Sequence, residues 1–440
     1  MAAFSKKIST SRAIVLGFAL LILLGTLLLC LPVSSSSGRG ASFGDALFTS
    51  VSAVCVTGLT VVDTGTAWSG FGQAVILLLI QTGGMGVITV VVTATVLFRG
   101  NVTLKQRSIM QEAISCDSIG DTVRTALGVI RTTLMLEFAG ALLLMISFCR
   151  DYGPRGVWYS VFHAVSAFCN AGFDLMGAQG QASLSHYATS PLVNTVIMML
   201  IVCGGIGFVC WDDIRKNGLK VMRYRLQTKA VLLTTAVLIT VSSVLFFSLE
   251  FASLPLPERI WASLFQSVTP RTAGFFTVDQ NALSGGGKLL TIALMLIGGA
   301  PGSTAGGMKV TTVAVILASM VSVFKKRNAA QMLGRRISDD TLRSAMALFT
   351  LYAGSFLAVG SAISRIEALP LSSCLFEAAS ALGTVGLSTG ITPSLSAASR
   401  ILLMILMFAG RAGGLTLMFS ALSGSGAYVS KLPLENINVG

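Results

Sequence analysis

Long runs of apolar residues recur along this chain and are separated by shorter polar segments. A helix needs about 20 mostly apolar residues to cross the hydrocarbon core of a bilayer. The first run is long for the apolar core of a signal peptide and lacks a clear small-x-small cleavage site, so we interpret it as a span. The pattern predicts eight membrane-spanning helices, near residues 13–32, 73–97, 126–148, 191–210, 230–249, 288–322, 343–364 and 399–421.

Between the two spans of each consecutive pair lies a half-polar stretch that ends on a glycine. Aligned on that glycine, a bulky apolar residue stands ten positions earlier in all four stretches, and a serine stands six positions earlier in three. Leu or Phe follows every glycine, and the glycines are 114, 102 and 112 residues apart. Such a period indicates four copies of one unit. The stretches run from Phe48 to Gly58, from Phe162 to Gly172, from Leu264 to Gly274 and from Phe376 to Gly386.

The predicted fold is an all-α polytopic membrane protein built from four span–pore-loop–span repeats. In this fold eight transmembrane helices and four re-entrant pore helices surround one central pore. We expect the third repeat to contain a broken inner helix and the fourth to carry the C-terminal tail. The four repeats are placed at residues 1–110, 111–222, 223–335 and 336–440.

Composition and charge support this topology. Hydrophobic residues make up 53% of the chain and charged residues 11%, against about 25% charged residues in soluble domains. The N-terminus and the loops between repeats (99–131, 215–229 and 325–343) hold 20 of the 31 Lys and Arg, and the side with the glycine-ending stretches holds 8. The positive-inside rule therefore places both termini in the cytoplasm. We attribute the net charge of +13 to topology and lipid contact, not to nucleic acid.

The residue types that carry most catalytic and metal chemistry are scarce or poorly spaced. The eight cysteines show no metal or disulfide spacing, and several lie in apolar runs, where they are interpreted as small packing residues. There are two histidines. We therefore expect no enzyme, no metal centre and no redox centre.

A half-helix that ends at membrane depth has a physical use. A helix over residues 44–55 can point its partly negative C-terminal end at the pore centre. The extended residues that follow can then replace the hydration shell of a cation with backbone carbonyls. The alternative is a small-residue packing face between helices, but recurrence at matched positions in all four repeats disfavours it. The expected ligands are the carbonyls of Val56, Thr57 and Gly58; Asn170, Ala171 and Gly172; Thr272, Ala273 and Gly274; and Thr384, Val385 and Gly386.

Each inner span also contains a cluster of glycines. In the first two repeats, Gly83-Gly84-Met-Gly86 and Gly204-Gly205-Ile-Gly207 are interpreted as close helix packing. The third cluster, residues 298–309, holds Pro301 and several further glycines, which cannot form a good continuous helix. It predicts a break of the sixth span at mid-membrane, with a loop below the carbonyl ring. It is not a phosphate-binding loop, because Lys309 does not directly follow a glycine.

Arg411 is the most conspicuous single charge, since it lies inside the apolar run 401–419. An arginine within a span is costly and suggests a function. It can donate to carbonyls of the broken sixth span or repel cations in the pore. The alternative is that its head extends to the cytoplasmic surface.

Five other charged residues are weaker candidates. Glu137 is expected to make a local hydrogen bond, without an assigned role, and Arg271 is expected to brace the third loop. Asp63, Asp174 and Asp279 follow the glycine-ending stretches. They either draw cations to an outer vestibule or are ordinary loop acids.

Four motifs in this chain resemble the Trk/Ktr/HKT superfamily of cation transporters, over nearly the whole chain. They are Ala-Val-Cys-Val-Thr-Gly-Leu-Thr (53–60), Gln-Ser-Val-Thr-Pro-Arg-Thr-Ala-Gly-Phe (266–275), Gly-Gly-Ala-Pro-Gly-Ser-Thr-Ala-Gly-Gly-Met-Lys (298–309) and Phe-Ala-Gly-Arg-Ala-Gly-Gly (408–414). Eight spans without an extra N-terminal pair are most similar to the KtrB-type membrane subunits of bacterial Ktr systems.

The resemblance implies potassium uptake across a bacterial plasma membrane through a carbonyl selectivity filter. In the superfamily a serine at the first filter position accompanies sodium transport, so Gly58 favours K⁺, with Na⁺ as a second candidate ion and sodium-dependent uptake as in Ktr systems. It also implies a homodimer with the tail 431–440 at its interface. A KtrA-type cytosolic ring would bind ATP or ADP. The implied gate comprises Gly302, Ser303, Thr304, Ala305, Gly306, Gly307, Lys309 and Arg411.

Three alternatives remain at this point. One is a TrkH-like or Na⁺/K⁺-permeable member of the same superfamily. Another is a secondary transporter of an organic solute, but such proteins usually contain inverted repeats and charged midplane residues, whereas these repeats share one orientation. The last is an assembly subunit without conduction, which explains none of the four glycine-ending stretches.

Overall fold

The computed structural model describes residues 10–86, 122–218 and 220–413. Nearly all regular structure in these residues is helical, and their one sheet is a two-stranded hairpin. The predicted dimer-interface tail, 431–440, lies outside the described residues, as do most of the basic loop 99–131 and the ends of the predicted second and eighth spans. The described chain follows one pattern four times: an outer helix, a pore helix, an extended segment and an inner helix.

The four outer helices are long, apolar and open to the surroundings. Leu20 and Leu27 on the first are 61% and 63% exposed, and Phe138 on the second is 67% exposed. Exposed apolar side chains along an entire helix fit a lipid environment, because lipid tails are as apolar as leucine. The outer helices are α1 (Thr10–Leu29), α5 (Thr122–Tyr152), α9 (Leu226–Leu245) and α13 (Asp339–Glu367).

The four pore helices are short and form the buried centre of the molecule. In the fourth, every residue from Phe376 to Gly383 is buried. In the first, the predicted half-helix 44–55 is observed over Phe43–Val54, and Ser42 caps it by accepting from the Asp45 backbone N–H at 3.1 Å. The pore helices are α2 (Phe43–Val54), α6 (Arg155–Phe168), α10 (Leu256–Val268) and α14 (Leu371–Gly383).

The inner helices are shorter than the sequence predicts, and two of them are divided. In the third repeat the predicted span 288–322 consists of two helices separated by residues 297–309, so the expected break is present. In chain order, the inner helices of the four repeats are α4 (Gly70–Met85), α7 (Pro191–Gly205) with α8 (Phe208–Asn217), α11 (Gly285–Leu296) with α12 (Val310–Phe324), and α15 (Ala397–Ala412).

The prediction of a continuous fourth span at 191–210 is wrong. The helix ends at Gly205, and α8 leaves at 95° to α7. Gly207 stands at the bend with φ +89°, a conformation that side chains disfavour. Gly86 and Gly413, at the equivalent positions of the first and fourth repeats, have φ values of +86° and +85°. In three repeats, therefore, the glycine three positions after the first glycine of the cluster stands where the inner helix ends.

By length and composition, four described helices can cross a membrane alone, and α7 with α8 makes a fifth. This is fewer than the predicted eight spans, because the described inner helices are short or divided and the ends of the predicted second and eighth spans lie outside the described residues. The fold class itself, a helical membrane protein with re-entrant segments, agrees with the prediction.

The remaining described elements are short. The hairpin between α12 and α13 pairs Gln331 with Arg336 and Met332 with Arg335 in an antiparallel register. These remaining elements are α3 (Thr64–Ala67), 3₁₀ turns at Pro32–Ser34, Met176–Gln179, Ser185–Tyr187, Val221–Arg223 and Thr392–Ser394, a π turn at Phe246–Glu250, and strands β1 (Gln331–Met332) and β2 (Arg335–Arg336) of the hairpin.

A serine precedes every inner helix. Ser284 caps α11, and Glu250 at the end of the third outer helix accepts from the Ser284 backbone N–H at 2.7 Å and from its hydroxyl at 2.6 Å. Glu367 of the fourth outer helix holds Ser396 in the same way, at 3.0 Å from the backbone N–H. A carboxylate from the outer helix thus fixes where the inner helix starts in these two repeats.

Glycines of the inner helices let them lie directly on the ends of the pore helices, which agrees with the packing interpretation. A Cβ at these positions would collide with a backbone carbonyl oxygen of the pore helix in the same repeat. The pairs are Gly83 with Val54, Gly204 with Phe168 and Gly410 with Leu382.

The last repeat also contacts the first, which brings the two ends of the described chain together. Arg400 of α15 pairs with Asp45 of the first pore helix at 3.2 Å, and its Nη2 donates to the carbonyl of Pro393 at 2.8 Å. The four repeats therefore form a closed arrangement rather than an open row.

The glycine contacts predict a specific stability defect. Gly83→Ala should destabilise the protein by about 1–3 kcal/mol, because its Cβ cannot fit against the Val54 backbone. Gly354→Ala is the matched control: it lies in an outer helix where a Cβ would meet nothing within 4 Å, and alanine favours helix. Thermal unfolding in detergent would measure both. A Gly83→Ala protein as stable as Gly354→Ala would contradict the packing argument.

Candidate functional site

The four glycines that end the predicted stretches form a closed ring. All four have positive φ, at 86°, 69°, 81° and 95° for Gly58, Gly172, Gly274 and Gly386. Each lies against the backbone of the next repeat, so that a Cβ would collide with the carbonyl oxygen preceding the next glycine. The contacts are Gly58 with Ala171, Gly172 with Ala273, Gly274 with Val385, and Gly386 with Thr57, which returns to the first repeat. Four carbonyl oxygens therefore stand at the four junctions of the ring.

The residue two positions before each glycine is left-handed. Val56, Asn170, Thr272 and Thr384 have φ values of 56°, 58°, 71° and 52°. Such conformations are rare for β-branched residues and persist only where surrounding contacts impose them. The same exception at the same place in four segments that differ in local sequence indicates that the ring imposes it.

Backbone hydrogen bonds fasten each extended segment to its own pore helix. The N–H groups of Thr57, Ala171 and Val385 donate to the carbonyls of Ser52, Ser166 and Ser380 at 2.8, 2.7 and 2.8 Å. In the third repeat Ala273 N donates to the Thr269 carbonyl at 2.9 Å instead. The sequence pattern shows the same deviation, because the recurring serine is Val268 there.

Hydroxyl groups add a second set of bonds in three repeats. Ser166 Oγ donates to the carbonyl of Phe173 at 2.7 Å, and Ser380 Oγ accepts from the Gly386 N–H at 3.0 Å. Thr269 takes this role in the third repeat by donating to the Phe275 carbonyl. The recurring hydroxyl is therefore a brace for the segment that carries the glycine.

Three buried hydroxyls beside the ring have no hydrogen-bond partner among the described residues. They belong to Thr57, Thr272 and Thr384, each 0% exposed. Buried polar atoms in native proteins are nearly always satisfied by protein, water or an ion. Eleven of the twelve predicted ligand residues are buried and Gly386 is half-buried; the four segments meet in one ring, so the donor set is oxygen-rich and carries no side-chain charge.

A loop at residues 297–309 joins the two halves of the third inner helix and folds back on itself. Gly298 N donates to Met308 O at 2.7 Å and Val310 N to Gly299 O at 3.0 Å, which closes the base of the loop. Lys309 Nζ donates to the carbonyl of Ala305 at 2.7 Å. The lysine therefore bonds to the backbone of its own loop. A phosphate-binding lysine would instead leave its ammonium group available to a ligand.

The loop docks on the second and fourth repeats directly beside the ring. Thr304 Oγ1 donates to Phe168 O, the end of the second pore helix, at 3.0 Å. Gly306 lies against the side chain of Thr384. Backbone bonds attach the loop to the inner helices: Ala300 N to Gly205 O at 2.9 Å, Phe208 N to Gly302 O at 2.8 Å, Thr304 N to Gly204 O at 3.3 Å and Gly307 N to Gly410 O at 3.2 Å.

Arg411 connects this loop to the first repeat. Its guanidinium donates to the carbonyl of Thr304 in the loop and to the carbonyls of Gly83 and Gly84, the latter at 2.8 Å. Three bonds to backbone oxygens hold the side chain inside the protein, so the alternative that its head extends to the cytoplasmic surface is wrong. Together with the docking bonds, this residue gives the loop contacts with all three other repeats.

The weaker candidates make local contacts. Glu137 accepts from Gln81 Nε2 at 3.1 Å and from Cys169 Sγ at 3.7 Å, which ties its outer helix to the first inner and second pore helices. Arg271 Nη2 donates to Thr235 of the third outer helix at 3.1 Å. The three loop acids each accept a backbone N–H: Asp63 from Thr66, Asp174 from Met176 and Asp279 from Asn281, at 2.8, 3.0 and 2.9 Å.

Glu377 is not among the residues predicted from the sequence, although it is a charge inside a re-entrant apolar stretch. The structure buries it completely in the fourth pore helix. Its position, nine residues before Gly386, was the available signal, since a buried charge at membrane depth suggests a function.

The model of the TrkH family, described as a cation transport protein, matches residues 11–431 of this chain. The potassium/sodium uptake protein NtpJ of Enterococcus hirae is 36% identical over 447 residues, which cover 99% of this chain and 98% of NtpJ. The Ktr system potassium uptake protein B of Bacillus subtilis is 38% identical, over 93% of this chain and 92% of that protein.

The chain belongs to the TrkH family of cation transport proteins. The resemblance predicted from the sequence motifs is therefore confirmed, and so is the prediction that the chain is not an enzyme. The crystal structure of the potassium transporter TrkH from Vibrio parahaemolyticus has the same fold, with a TM-score of 0.76 and 20% identity over 94% of this chain and 85% of that one. The protein is thus a multi-pass membrane protein.

Proposed function

We propose that this protein takes up potassium across a bacterial plasma membrane and that the four-glycine ring is its selectivity filter. The observation that carries the proposal is the closed ring, in which each glycine meets the backbone carbonyl of the next repeat. The names of its relatives support the ion: the Enterococcus hirae protein is a potassium/sodium uptake protein, and the Bacillus subtilis protein belongs to a Ktr potassium uptake system.

In the proposed mechanism the ion sheds its water at the ring. Backbone carbonyls of residues 56–58, 170–172, 272–274 and 384–386 replace the hydration shell. The segments bring four carbonyls together without any side-chain charge, which suits a large monovalent cation that must bind and leave quickly. Glycine at all four positions, Gly58 included, is the pattern expected for K⁺.

The loop 300–307, with Lys309 and Arg411, is proposed as the gate below this filter. It occupies the space beside Thr384 and Phe168 and is fastened by backbone bonds that a modest movement would break. Lys309 donates to the carbonyl of Ala305 and Arg411 donates to the carbonyl of Thr304, so both side chains favour the docked arrangement of the loop. Opening would require Arg411 to release Thr304.

Regulation belongs to the same proposal. A KtrA-type cytosolic ring that binds ATP or ADP would attach to the basic cytoplasmic face, and the protein would form a homodimer with both termini in the cytoplasm. Uptake would depend on sodium. These features rest on the resemblance and on the distribution of basic residues.

A second candidate is a channel-like protein that conducts both K⁺ and Na⁺. The relative that favours it is NtpJ, whose name gives both ions and whose identity with this chain is 36%. The two candidates share the ring and differ in its selectivity.

Cation flux into liposomes that hold the purified chain tests the proposal directly. With K⁺, Na⁺ and choline gradients compared, we expect K⁺ flux well above the other two. Equal K⁺ and Na⁺ flux would favour the second candidate. A variant lacking residues 300–307 should conduct even without a cytosolic partner, so absence of flux in that folded variant would reject the pore.

Gly58→Ser should lower the K⁺/Na⁺ flux ratio about ten-fold. The added Cβ would collide with the Ala171 carbonyl and lie 3.1 Å from the Gly172 Cα. The resulting displacement costs about 1–3 kcal/mol, of which 1.4 kcal/mol corresponds to a factor of ten. Gly70→Ser is the matched control, because a Cβ there meets nothing within 4 Å. An unchanged ratio in folded Gly58→Ser would remove Gly58 from the filter.

Arg411→Ala should raise K⁺ flux about ten-fold or more. The substitution removes charge-assisted bonds that hold the loop, each worth about 1.5–3 kcal/mol. Arg400→Ala is the control, because Arg400 lies on the same helix but pairs with Asp45 away from the loop. Equal or lower flux through a monodisperse Arg411→Ala protein would contradict the gate assignment.

A further inference from the structure

Glu377 is a carboxylate buried at 0% exposure in the fourth pore helix. A buried carboxylate is stable only when hydrogen bonds replace its water. Oε1 accepts from Ser388 Oγ at 2.7 Å, from the Thr389 N–H at 2.9 Å and from Thr389 Oγ1 at 3.2 Å, and Oε2 accepts from Thr392 Oγ1 at 2.7 Å. Both oxygens are therefore satisfied by one short stretch of chain.

All four donors lie just beyond the fourth filter glycine. Ser388, Thr389 and Thr392 follow Gly386 by two, three and six residues. All four groups donate to the two oxygens of one side chain, so a single carboxyl group holds them together. Glu377 thus fixes the segment through which the chain leaves the ring.

The other repeats have no carboxylate at this position. The equivalent residues are Thr49, His163 and Phe265. Thr49 Oγ1 has no hydrogen-bond partner among the described residues, and His163 Nδ1 is paired with Tyr159 O in its own helix at 2.7 Å. In the third repeat a neutral amide pair spans the gap instead, with Gln266 Nε2 donating to Gln280 Oε1 at 2.8 Å.

The fourth segment also supports the first across the ring. A Cβ on Gly386 would collide with the Thr57 carbonyl and would lie 3.0 Å from the Gly58 Cα. The first segment has fewer braces of its own, because the hydroxyls of Thr49 and Ser52 have no partner among the described residues. The position of the Thr57 carbonyl therefore depends on how firmly Gly386 is held.

We propose that Glu377 is a positioning residue for ion selection: its carboxylate holds the exit segment of the fourth repeat and thereby sets the junction between the fourth and first filter segments. Glu377 does not contact the ion in this proposal. The proposal rests on the proposed function of the glycine ring and adds the residue that determines how precisely one side of it is placed.

The test is the K⁺/Na⁺ flux ratio in liposomes, measured for Glu377→Gln. The amide keeps the size of the side chain, but its nitrogen cannot accept from the donors that face it. We expect the ratio to fall five- to ten-fold while K⁺ flux remains measurable. Glu377→Asp, which keeps the carboxyl group on a shorter side chain, should restore part of the ratio, and Thr392→Val, which removes one donor, should lower it about two-fold.

Glu250→Gln is the matched control. Glu250 also accepts a serine N–H and hydroxyl, at 2.7 and 2.6 Å, but it lies at the end of the third outer helix. Its variant should keep the wild-type ratio. Each protein is first checked for a single monodisperse peak in detergent, so that a lower yield is not counted as altered selectivity.

The outcomes separate this proposal from the function on which it rests. A selective wild type with a lowered ratio in Glu377→Gln and a normal ratio in Glu250→Gln supports the positioning role. A selective wild type with equal ratios in all folded variants overturns the positioning role and leaves the filter intact. A wild type and a 300–307 deletion that both conduct no cation overturn the filter, and the positioning role with it.

Discussion

The tightest contact on which this structure depends is the one between each ring glycine and the backbone carbonyl of the next repeat. No side chain fits there, so the four segments approach one another at backbone distance. This approach requires glycine, requires a left-handed residue two positions earlier, and brings four carbonyl oxygens to one centre. The pore helices end three to six residues before each glycine and so position the chain at the ring.

Backbone exposed at membrane depth must be satisfied by protein or by water in a cavity. Three repeats satisfy part of this backbone in the same way. A serine or threonine hydroxyl braces the second, third and fourth segments, and the first depends on its neighbours. The loop of the third repeat meets the same requirement through Arg411 and the carbonyls of three inner helices. Polar groups that look unfavourable in the sequence are thus the ones that make irregular backbone tolerable.

The sequence predicts those features that depend on repetition and local chemistry. The four pore helices, the ring glycines and the broken sixth span follow from matched positions and from Pro301 among glycines. The bend at Gly207 could not be predicted. Gly204 and Gly205 are needed for close helix packing and Gly207 for its positive φ, but the sequence shows only glycine at all three positions. One partner of Arg411, the carbonyl of Gly83, lies 328 residues away along the chain. The partners of Glu377 are near in sequence but reach it only because of how the segment after Gly386 folds. No local pattern predicts either contact.

The four repeats share one backbone plan but differ in what surrounds the ring. The third contains the loop, and the fourth contains both Glu377 and Arg411. Because the loop bonds to the second and fourth inner helices and Arg411 joins it to the first, a change at the C-terminal end of α4, α7 or α15 disturbs the same set of bonds. In the proposed mechanism the ion would meet four similar carbonyls at the ring, whereas control would be concentrated in the loop of one repeat. The loop could then move without a rearrangement of the ring.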